Sequence, residues 1–473
     1  MKNKFKILYV SSEVSPFAGV GNLAEVAGTL PKYLKNLGHD VRVMMPNYKS
    51  INERKYVLRD VIRLKGLKIS ISGKTLQANG KSAFLPNSKV QIYFLDNKEL
   101  FQRDGLYGAK PDILFDDNAE RFLFFSLGCL ETLKLLYWQP DIIHCNDWQT
   151  ALIPALLKKH YLKDQFFQNT KTVFSLCSTA RGNKTTTEAA KLAGISDILK
   201  DELSGDTFDF MACGLKNADI ITISDGMISE QTRLDTSANK NVISVANGID
   251  TQIWDAQNSK AVKHHFSDVD LTGKKDNKKV LQEQTGLAVD EKKPLLLVVS
   301  EWLSSTALDA VVQIAKSIID TGAQLLFIGQ AEKSKQSDID KIVAKNAQTV
   351  KVEKRASDEG LQNVIAGSDV LLLPNEPGDG NNWGQLYALQ YGTIPVVLHS
   401  ILPSKSKANA SLLQIGKLSA DNVLKTIKQL VKDFEATTEW QQRVHSAMKS
   451  DFSWDNAIDG YIKSYQKVAA KKK

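Results

Sequence analysis

The chain has 473 residues, of which 42% are hydrophobic and 24% are charged, and its formal net charge is +8. A chain of this length exceeds one hydrophobic core, so we expect two domains of roughly 200 residues each. The composition is that of an ordinary globular protein. No apolar stretch approaches the roughly 20 residues of a membrane helix, and no apolar signal region follows the N-terminus, so we expect a cytoplasmic protein without a membrane partner.

The positive charge permits anionic ligands such as sugar nucleotides, and it also permits nucleic acid. Lysines are scattered along the whole chain, and the only dense block is 471–473. Because basic and aromatic residues do not interleave, we interpret these lysines as a solvated surface and expect no nucleic-acid partner. Cys129, Cys145, Cys177 and Cys213 lie far apart, which predicts free thiols, and we expect neither a metal nor a cofactor.

The N-terminal segment has the pattern of a strand, a loop, a helix and a parallel strand. Residues 6–10 are apolar and predict a buried strand, residues 23–38 predict a helix, and residues 39–46 predict a second strand. The loop between the first two elements contains Gly19 and Gly21. This arrangement offers helix N-terminal amides to a phosphate.

The alternation of strands and helices continues to about residue 250 and then begins again. Further strands are predicted at 89–95, 140–145, 171–176 and 220–224, with helices at 118–136 and 150–159 and a hairpin-like stretch at 57–84. Residues 255–292 are polar and predict a linker with a lead-in helix. A second series of strands is predicted at 294–299, 324–328, 370–373 and 394–398. We therefore predict domains at 1–255 and 256–450, followed by a helix and basic tail at 451–473.

Several segments resemble bacterial glycogen and starch synthases of the ADP-glucose type. The matching motifs are D-N-A-x-R-F at 117–122, P-D-I-I-H-x-H-D-W-H-T-A-L at 140–152, N-G-I-D-x-x-x-W at 247–254 and Q-L-Y-A-L-x-Y-G-T-I-P-V-V at 385–397. The resemblance covers nearly the whole chain. It implies the GT-B fold, in which two Rossmann-like, doubly wound domains face a central cleft. The first domain would hold the acceptor, an α-1,4-glucan, and the second the donor, ADP-glucose, with the last helix returning to the first domain.

The resemblance also implies a set of site residues. Carried over motif by motif, the catalytic candidates are Asp147 and Glu376, and the substrate-binding candidates are Gly21, Trp148, Cys177, Asn247 and Gln385. Structural roles remain open for several of them. Asp147 could be a helix cap, Gly21 and Asn247 could serve turns, and Glu376 could instead fill the place of an arginine that precedes the family's glutamate. His144 lies in an apolar strand and is interpreted as a core residue.

This chain departs from the family pattern where a phosphate charge must be stabilised. A departing nucleoside diphosphate needs cations or helix N-termini aimed at its pyrophosphate. The replaced positions are Gly19 for lysine and Asn22 for glycine in K-T-G-G, Glu301 for arginine and Thr306 for lysine in S-R-L-x-x-Q-K-G, Cys177 for histidine in T-I-H-N, Asn146 and Gln149 for both histidines of H-D-W-H, and Ser400-Ile401-Leu402 for T-G-G. An anion near a pyrophosphate is repulsive by kcal/mol even when screened.

Three functions follow as hypotheses. The first is the family reaction, glucosyl transfer from ADP-glucose to the non-reducing end of an α-1,4-glucan. The second is a catalytically inactive paralogue that binds glucan or regulates an active synthase. The third is a GT-B enzyme with another donor, its pocket remodelled around Glu301 and Trp302. The losses lie at ligand-binding positions while strand and helix segments are intact, which favours the second hypothesis.

Overall fold

The computed structural model describes residues 4–71, 73–110, 113–177, 184–203, 205–224, 241–354, 357–377, 379, 381–402 and 405–470. Within these ranges the chain forms two compact units. Unit 1 contains residues 4–224, 241–245 and 458–470, and unit 2 contains residues 246–457. Each unit is built around its own twisted sheet.

The main sheet of unit 1 has the strand order β14-β13-β10-β9-β1-β2-β6-β5-β3, with β4 also paired to β5. Its strands are β1 (Lys6–Val10), β2 (Asp40–Pro46), β3 (Arg59–Asp60), β4 (Leu67–Ile71), β5 (Lys74–Phe84), β6 (Gln91–Asp96), β9 (Ile142–Asn146), β10 (Lys171–Leu176), β13 (Ile220–Ser224) and β14 (Val242–Val245). Two small antiparallel pairs are β7 (Gly108–Lys110) with β8 (Ile113–Leu114), and β11 (Lys184–Thr186) with β12 (Thr207–Asp209).

The helices that connect these strands are α1 (Asn22–Asn36), α2 (Lys98–Phe101), α3 (Asn118–Leu135), α4 (Leu152–Lys159), α5 (Thr187–Leu192), α6 (Ile195–Leu199) and α7 (Phe210–Asn217). The central strands β1, β9 and β10 run parallel and are almost wholly buried. Burial of both faces explains their continuous apolar sequences. The antiparallel pair of β5 with β6 closes the other side, and β5 continues into the hairpin with β4.

Unit 2 has a six-stranded parallel sheet with the order β17-β16-β15-β18-β19-β20. Its strands are β15 (Leu295–Val299), β16 (Gln324–Ile328), β17 (Val350–Glu353), β18 (Val370–Leu373), β19 (Ile394–Val397) and β20 (Leu413–Gln414). Its helices are α8 (Thr272–Thr285), α9 (Ser305–Ile319), α10 (Lys333–Lys345), α11 (Asp358–Gly367), α12 (Gly384–Gln390), α13 (Ala420–Glu435), α14 (Thr437–Met448) and α15 (Trp454–Ala457). The order changes direction at β15, where a doubly wound sheet binds its ligands.

The last helix, α16 (Asp459–Ala470), belongs to unit 1 and packs against β10, β13 and β14. Its side chains Tyr461 and Tyr465 are buried there. The Oη of Tyr465 lies 2.6 Å from Nδ1 of His144 on β9. An aromatic stripe on this helix therefore completes one face of the first sheet.

The doubly wound architecture predicted from the sequence is confirmed in both sheets. In the described ranges, the sequence analysis missed β14, β17 and β20 of the two main sheets and the short pairs β7 with β8 and β11 with β12. The edge strand β17 was missed because charged residues alternate with valines in its Val-Lys-Val-Glu sequence. All four cysteines are free, as predicted, and the structure shows that all four are buried. None of the helices in the described ranges combines the length and the apolar character that crossing a lipid bilayer requires.

Candidate functional site

Three adjacent strands of unit 1 bring several predicted site residues to one edge of the sheet. β10, β9 and β1 are neighbours and run parallel, so their carboxyl ends lie side by side. Asp147 follows β9, Cys177 follows β10, and the loop that contains Gly21 follows β1. Residues far apart in sequence meet here because the topology gathers these three loops.

Asp147 adopts an unusual backbone conformation at this edge, with φ 54° and ψ −177°. A non-glycine residue in this region costs on the order of 1–3 kcal/mol and persists only where its surroundings hold it. Its backbone amide donates to Ser175 O at 3.0 Å, and its carboxylate accepts from the Cys177 amide at 2.7 Å. Asp147 is fully buried, so its carboxylate links two strand ends.

Cys177 is buried in a small polar cluster rather than exposed for reaction. Its Sγ lies 3.8 Å from Oδ1 of Asn146, which also accepts a hydrogen bond from Tyr9 Oη at 2.9 Å. The Asn146 amide donates to Val10 O at 2.9 Å. Burial raises the pKa of the Cys177 thiol well above its usual range. A buried thiol with a raised pKa stays protonated near neutral pH and is a poor nucleophile.

Trp148 is a packing residue in this structure. It is only 2% exposed, and its ring contacts Phe122, Phe210 and Tyr107, with centroid distances of 4.9, 5.6 and 6.1 Å. The Tyr107 hydroxyl donates to Glu13 Oε1 at 2.6 Å. A continuous set of contacts thus runs from Trp148 through Tyr107 to the loop after β1.

Gly21 lies in that loop, and its amide is bonded within the unit. Glu13 Oε2 accepts hydrogen bonds from the Val20 amide at 2.7 Å and from the Gly21 amide at 3.2 Å. Glu13 is 4% exposed and was missed as a site residue, since its partner Tyr107 lies 94 residues away. The Val20 and Gly21 amides therefore already donate hydrogen bonds to a carboxylate of the same unit.

Gly19, which stands where the family has lysine, allows an unusually close approach of the chain. A Cβ at this position would lie 2.2 Å from the Cβ of Ala24, closer than any real contact allows. A side chain here requires the loop to move. The backbone path of this loop therefore fits glycine and does not fit the lysine of the family pattern.

In unit 2, the loops after β15 and β18 are tied together by side-chain amides. Asn375 Oδ1 accepts from the Ser304 amide at 2.9 Å, and its Nδ2 donates to Trp302 O at 2.8 Å. Glu301, in the family's arginine position, is exposed and approaches the turn after β16. Its carboxyl carbon lies 3.3 Å from where a Cβ on Gly329 would stand. A carboxylate thus occupies the carboxyl edge beside β15 and β16.

Gln385 is fully buried and bonds to the loop after β19. Its Nε2 donates to His399 O at 2.9 Å, and its Oε1 accepts from the Ile401 amide at 3.1 Å. Ile401 and Leu402 are themselves buried. Gln385 therefore links both sides of the loop that replaces the family's glycine pair, and the Ile401 amide of that loop already donates to the Gln385 side chain.

Glu376 lies next to His399 on the same edge, with 3.8 Å between Oε2 and Nε2, and both side chains are about half exposed. The sequence comparison missed Asp379. Counting back six residues from Gln385, as in E-P-C-G-L-N-Q, leads to Asp379 and not to Glu376. The Asp379 amide donates to Glu376 O at 3.1 Å, so both carboxylates belong to one turn.

Asn247 lies in a segment that pairs with residues 452–454. The Ile249 amide donates to Phe452 O at 2.8 Å, and a Cβ on Gly248 would lie 2.6 Å from the Trp454 backbone. This close backbone approach explains the glycine. Nearby in unit 2, Trp254 stacks on Tyr387, with 3.8 Å between ring centroids. Residues of the N-G-I-D-x-x-x-W motif therefore make structural contacts within unit 2.

A groove of about 710 Å³ lies between α10 and the turns after β16 and β17. Its lining includes the charged residues Lys333, Lys341, Lys354, Asp340 and Glu353. Sequence reasoning missed it because these residues belong to a polar helix and an edge strand. Its size suits a small organic ligand. In the described part of the chain, no cluster of three or more His, Cys, Asp or Glu side chains could hold a metal ion.

The sequence and the fold of this chain are similar to those of known starch synthases. Residues 6–238 match the family model of the starch synthase catalytic domain. The catalytic domain of starch synthase IV from Arabidopsis thaliana, bound to ADP and acarbose, superposes with a TM-score of 0.82 at 21% identity, over 99% of this chain and 100% of that one. The two doubly wound units define a protein of the GT-B glycosyltransferase fold, as predicted.

Sequence relatives identify the family. The chain is 31% identical to the glycogen synthase of Pelodictyon phaeoclathratiforme, over 99% of both chains. It is 33% identical to the glycogen synthase of Syntrophotalea carbinolica, over 98% of both chains. The chain belongs to the glycogen synthase family.

Proposed function

We propose that this chain is a glycogen synthase family protein that binds α-1,4-glucan through unit 1 and transfers glucose from ADP-glucose far more slowly than a typical enzyme. The observation that carries the proposal is the closure of the unit 2 loops by the chain's own side chains. The Ile401 amide donates a hydrogen bond to the Gln385 side chain, and the Ser304 amide donates one to the Asn375 side chain. Amides that are already paired do not help to stabilise a pyrophosphate.

Charge at the same edge supports this proposal. Glu301, Glu376 and Asp379 are carboxylates on the loops after β15 and β18. Lys335 reaches the first turn of α9, where it donates to Ser305 O at 2.7 Å, but it is paired with Asp309 at 3.0 Å. A pyrophosphate at this edge would therefore be repelled by these carboxylates.

Glucan binding is proposed from the family and from the strained edge of unit 1. The relative from Arabidopsis thaliana was solved with acarbose, a saccharide, and with ADP. Here Asp147 has a φ of 54°, and backbone strain of this kind clusters at ligand sites. We infer that unit 1 contributes the saccharide contacts and that Gly21 and Trp148 define their surroundings.

The family reaction at an ordinary rate is the second candidate, and two observations favour it. Asp379 stands at the glutamate's place when the motif is counted back from Gln385. The groove beside α10 also has room for part of a nucleotide. Asp379 would then act in place of Glu376, with Asp147 as the second catalytic residue.

One experiment separates the two candidates. The purified chain is incubated with labelled ADP-glucose and glycogen, while its affinity for maltoheptaose is measured by calorimetry. We expect glucan binding with incorporation below about a hundredth of a typical enzyme's ~10 per second. Incorporation near that typical rate, abolished by Asp379→Asn and retained in Glu376→Gln, would instead establish the family reaction. Failure to bind maltoheptaose or glycogen would remove the glucan-binding proposal.

A further inference from the structure

A buried carboxylate at the end of β1 organises the loop that contains Gly21. Glu13 Oε2 accepts from the Val20 and Gly21 amides at 2.7 and 3.2 Å, and its Oε1 accepts from the Tyr107 hydroxyl at 2.6 Å. The Tyr107 hydroxyl also lies 2.7 Å from Ser12 Oγ. Since Glu13 is 4% exposed, these protein groups replace the water that a carboxylate otherwise requires.

The position of Glu13 also stabilises the start of α1. Gly21 is the residue before this helix and has no side chain to cap it. The first amides of a helix lack partners within the helix, and a negative charge near them is favourable. Glu13 supplies the acceptor from the end of β1, and burial raises the pKa of its carboxyl group above the usual range. The C-terminal end of the loop at 16–21 is therefore fixed by hydrogen bonds to the Glu13 side chain.

Tyr107, in turn, is held by the motif D-N-A-E-R-F at the start of α3. Asn118 Nδ2 donates to Tyr107 O at 2.9 Å. The guanidinium of the fully buried Arg121 donates to Leu106 O at 2.9 Å and to Leu100 O at 2.7 Å. A buried cation that binds backbone carbonyls on both sides of a loop fixes that loop. The orientation of Tyr107 is thus determined by residues of α3.

We propose that Tyr107 is a positioning residue of the glucan site: through Glu13 it fixes the loop at 16–21, so that the motif at 117–122 controls saccharide affinity without touching the saccharide. The part that concerns affinity rests on the function proposed above. The part that concerns the loop stands on these contacts alone. Neither part assigns a chemical step to Tyr107 or to Glu13.

The test uses Tyr107→Phe, which removes only the hydroxyl, and Glu13→Gln as a second variant. The matched control is Tyr161→Phe, because the Tyr161 hydroxyl also donates to a carboxylate, Glu131, at 2.6 Å elsewhere in unit 1. Hydrogen–deuterium exchange of peptides covering the loop is compared with maltoheptaose affinity in the full chain. A hydrogen bond to a charged group should change exchange by roughly tenfold or more.

We expect both loop variants to exchange at least about tenfold faster at Val20 and Gly21 and to bind maltoheptaose several-fold more weakly, with Tyr161→Phe unchanged in both. Unchanged exchange in both variants would overturn the proposal. Faster exchange with unaltered maltoheptaose affinity would refute its affinity part. If the parent chain binds no maltoheptaose but the loop exchanges faster in the variants, the proposed function fails while the positioning of the loop stands.

Discussion

The Asp147 carboxylate accepts a hydrogen bond from the Cys177 amide across 2.7 Å and so joins the carboxyl ends of two adjacent strands. In the sequence these residues are separate site candidates with separate roles. In the structure they are joined, because β9 and β10 are paired strands and the amide that follows β10 donates to the carboxylate that follows β9. Removing the Asp147 carboxylate must therefore affect both loops, whereas a side-chain change at Cys177 retains the amide that donates.

Replacement of Asp147 should destabilise unit 1, and the loss should be larger when the new side chain cannot accept the hydrogen bond from the Cys177 amide. Asp147→Ala leaves the buried Cys177 amide without this acceptor, which costs about 1–3 kcal/mol of unfolding free energy. Asp147→Asn retains an acceptor oxygen and tolerates positive φ, so a loss below about 1 kcal/mol is expected. Urea unfolding measures both. The control is Asp141→Ala, which removes an exposed bond to the Lys6 amide at the other end of β9. Equal losses for Asp141→Ala and Asp147→Ala would contradict this assignment.

His144 should make the stability of unit 1 depend on pH in the acid range. Burial lowers the pKa of His144 to about 3, and its ring lies between Tyr465 and Ser175. The unfolded chain, with a pKa near 6.5, binds a proton that the folded chain does not bind between these values. Stability should therefore fall by up to ~1.4 kcal/mol per pH unit as the pH drops from about 6 to 4. Urea midpoints for His144→Gln should lose this slope, whereas those for the exposed His160→Gln should retain it.

Lys274 should be essential for the stability of unit 2. Its ammonium group is buried and donates to the carbonyls of Ala366, Ser368 and Tyr391 and to Thr393 Oγ1, between 2.8 and 3.3 Å. Lys274→Met removes the donor and leaves these acceptors buried, at about 1–3 kcal/mol for each one left unsatisfied. Thermal unfolding of Lys274→Met is compared with that of the exposed neighbour Lys275→Met. A midpoint as high as that of Lys275→Met would show that the buried carbonyls find other donors.

ADP-glucose should bind weakly, and Glu301 should be one cause. We expect no detectable heat at millimolar ligand for the parent chain. Removing the charge in Glu301→Gln should strengthen ADP binding by a few-fold to tenfold, since one carboxylate near a pyrophosphate is repulsive by about 1 kcal/mol or more. Glu283→Gln, an exposed change of equal charge on α8, controls for long-range effects. Micromolar affinity in the parent chain would show that other cations serve the donor.

The sequence predicts the fold well because buried parallel strands have distinctive apolar runs. It predicts β15 within one residue but misses β17, since an edge strand need not be apolar on both faces. The site is predicted less fully. The burial of Gln385 and the bond from Tyr107 to Glu13 depend on loop paths that residue types do not specify. At Gly19 the sequence shows only a lost charge, whereas the structure shows that a Cβ at this position would collide with Ala24.

The last prediction concerns restoring the family's groups in unit 2. Glu301→Arg with Thr306→Lys should strengthen ADP binding yet leave glucose incorporation at the slow rate of the parent chain, because the Gln385 side chain still accepts from the Ile401 amide. Rebuilding Ser400-Ile401-Leu402 as Thr-Gly-Gly alone should only destabilise the chain, since Ile401 and Leu402 are buried.

All five changes together should raise incorporation well above the parent rate, because the effects of groups that act on one pyrophosphate are strongly non-additive. Gly19→Lys is left out, as its side chain would collide with Ala24. The measurement is transfer of label from ADP-glucose to glycogen, with circular dichroism to verify folding. Incorporation that rises in simple proportion with each single change would show that the groups act independently and that loop closure is not what limits transfer.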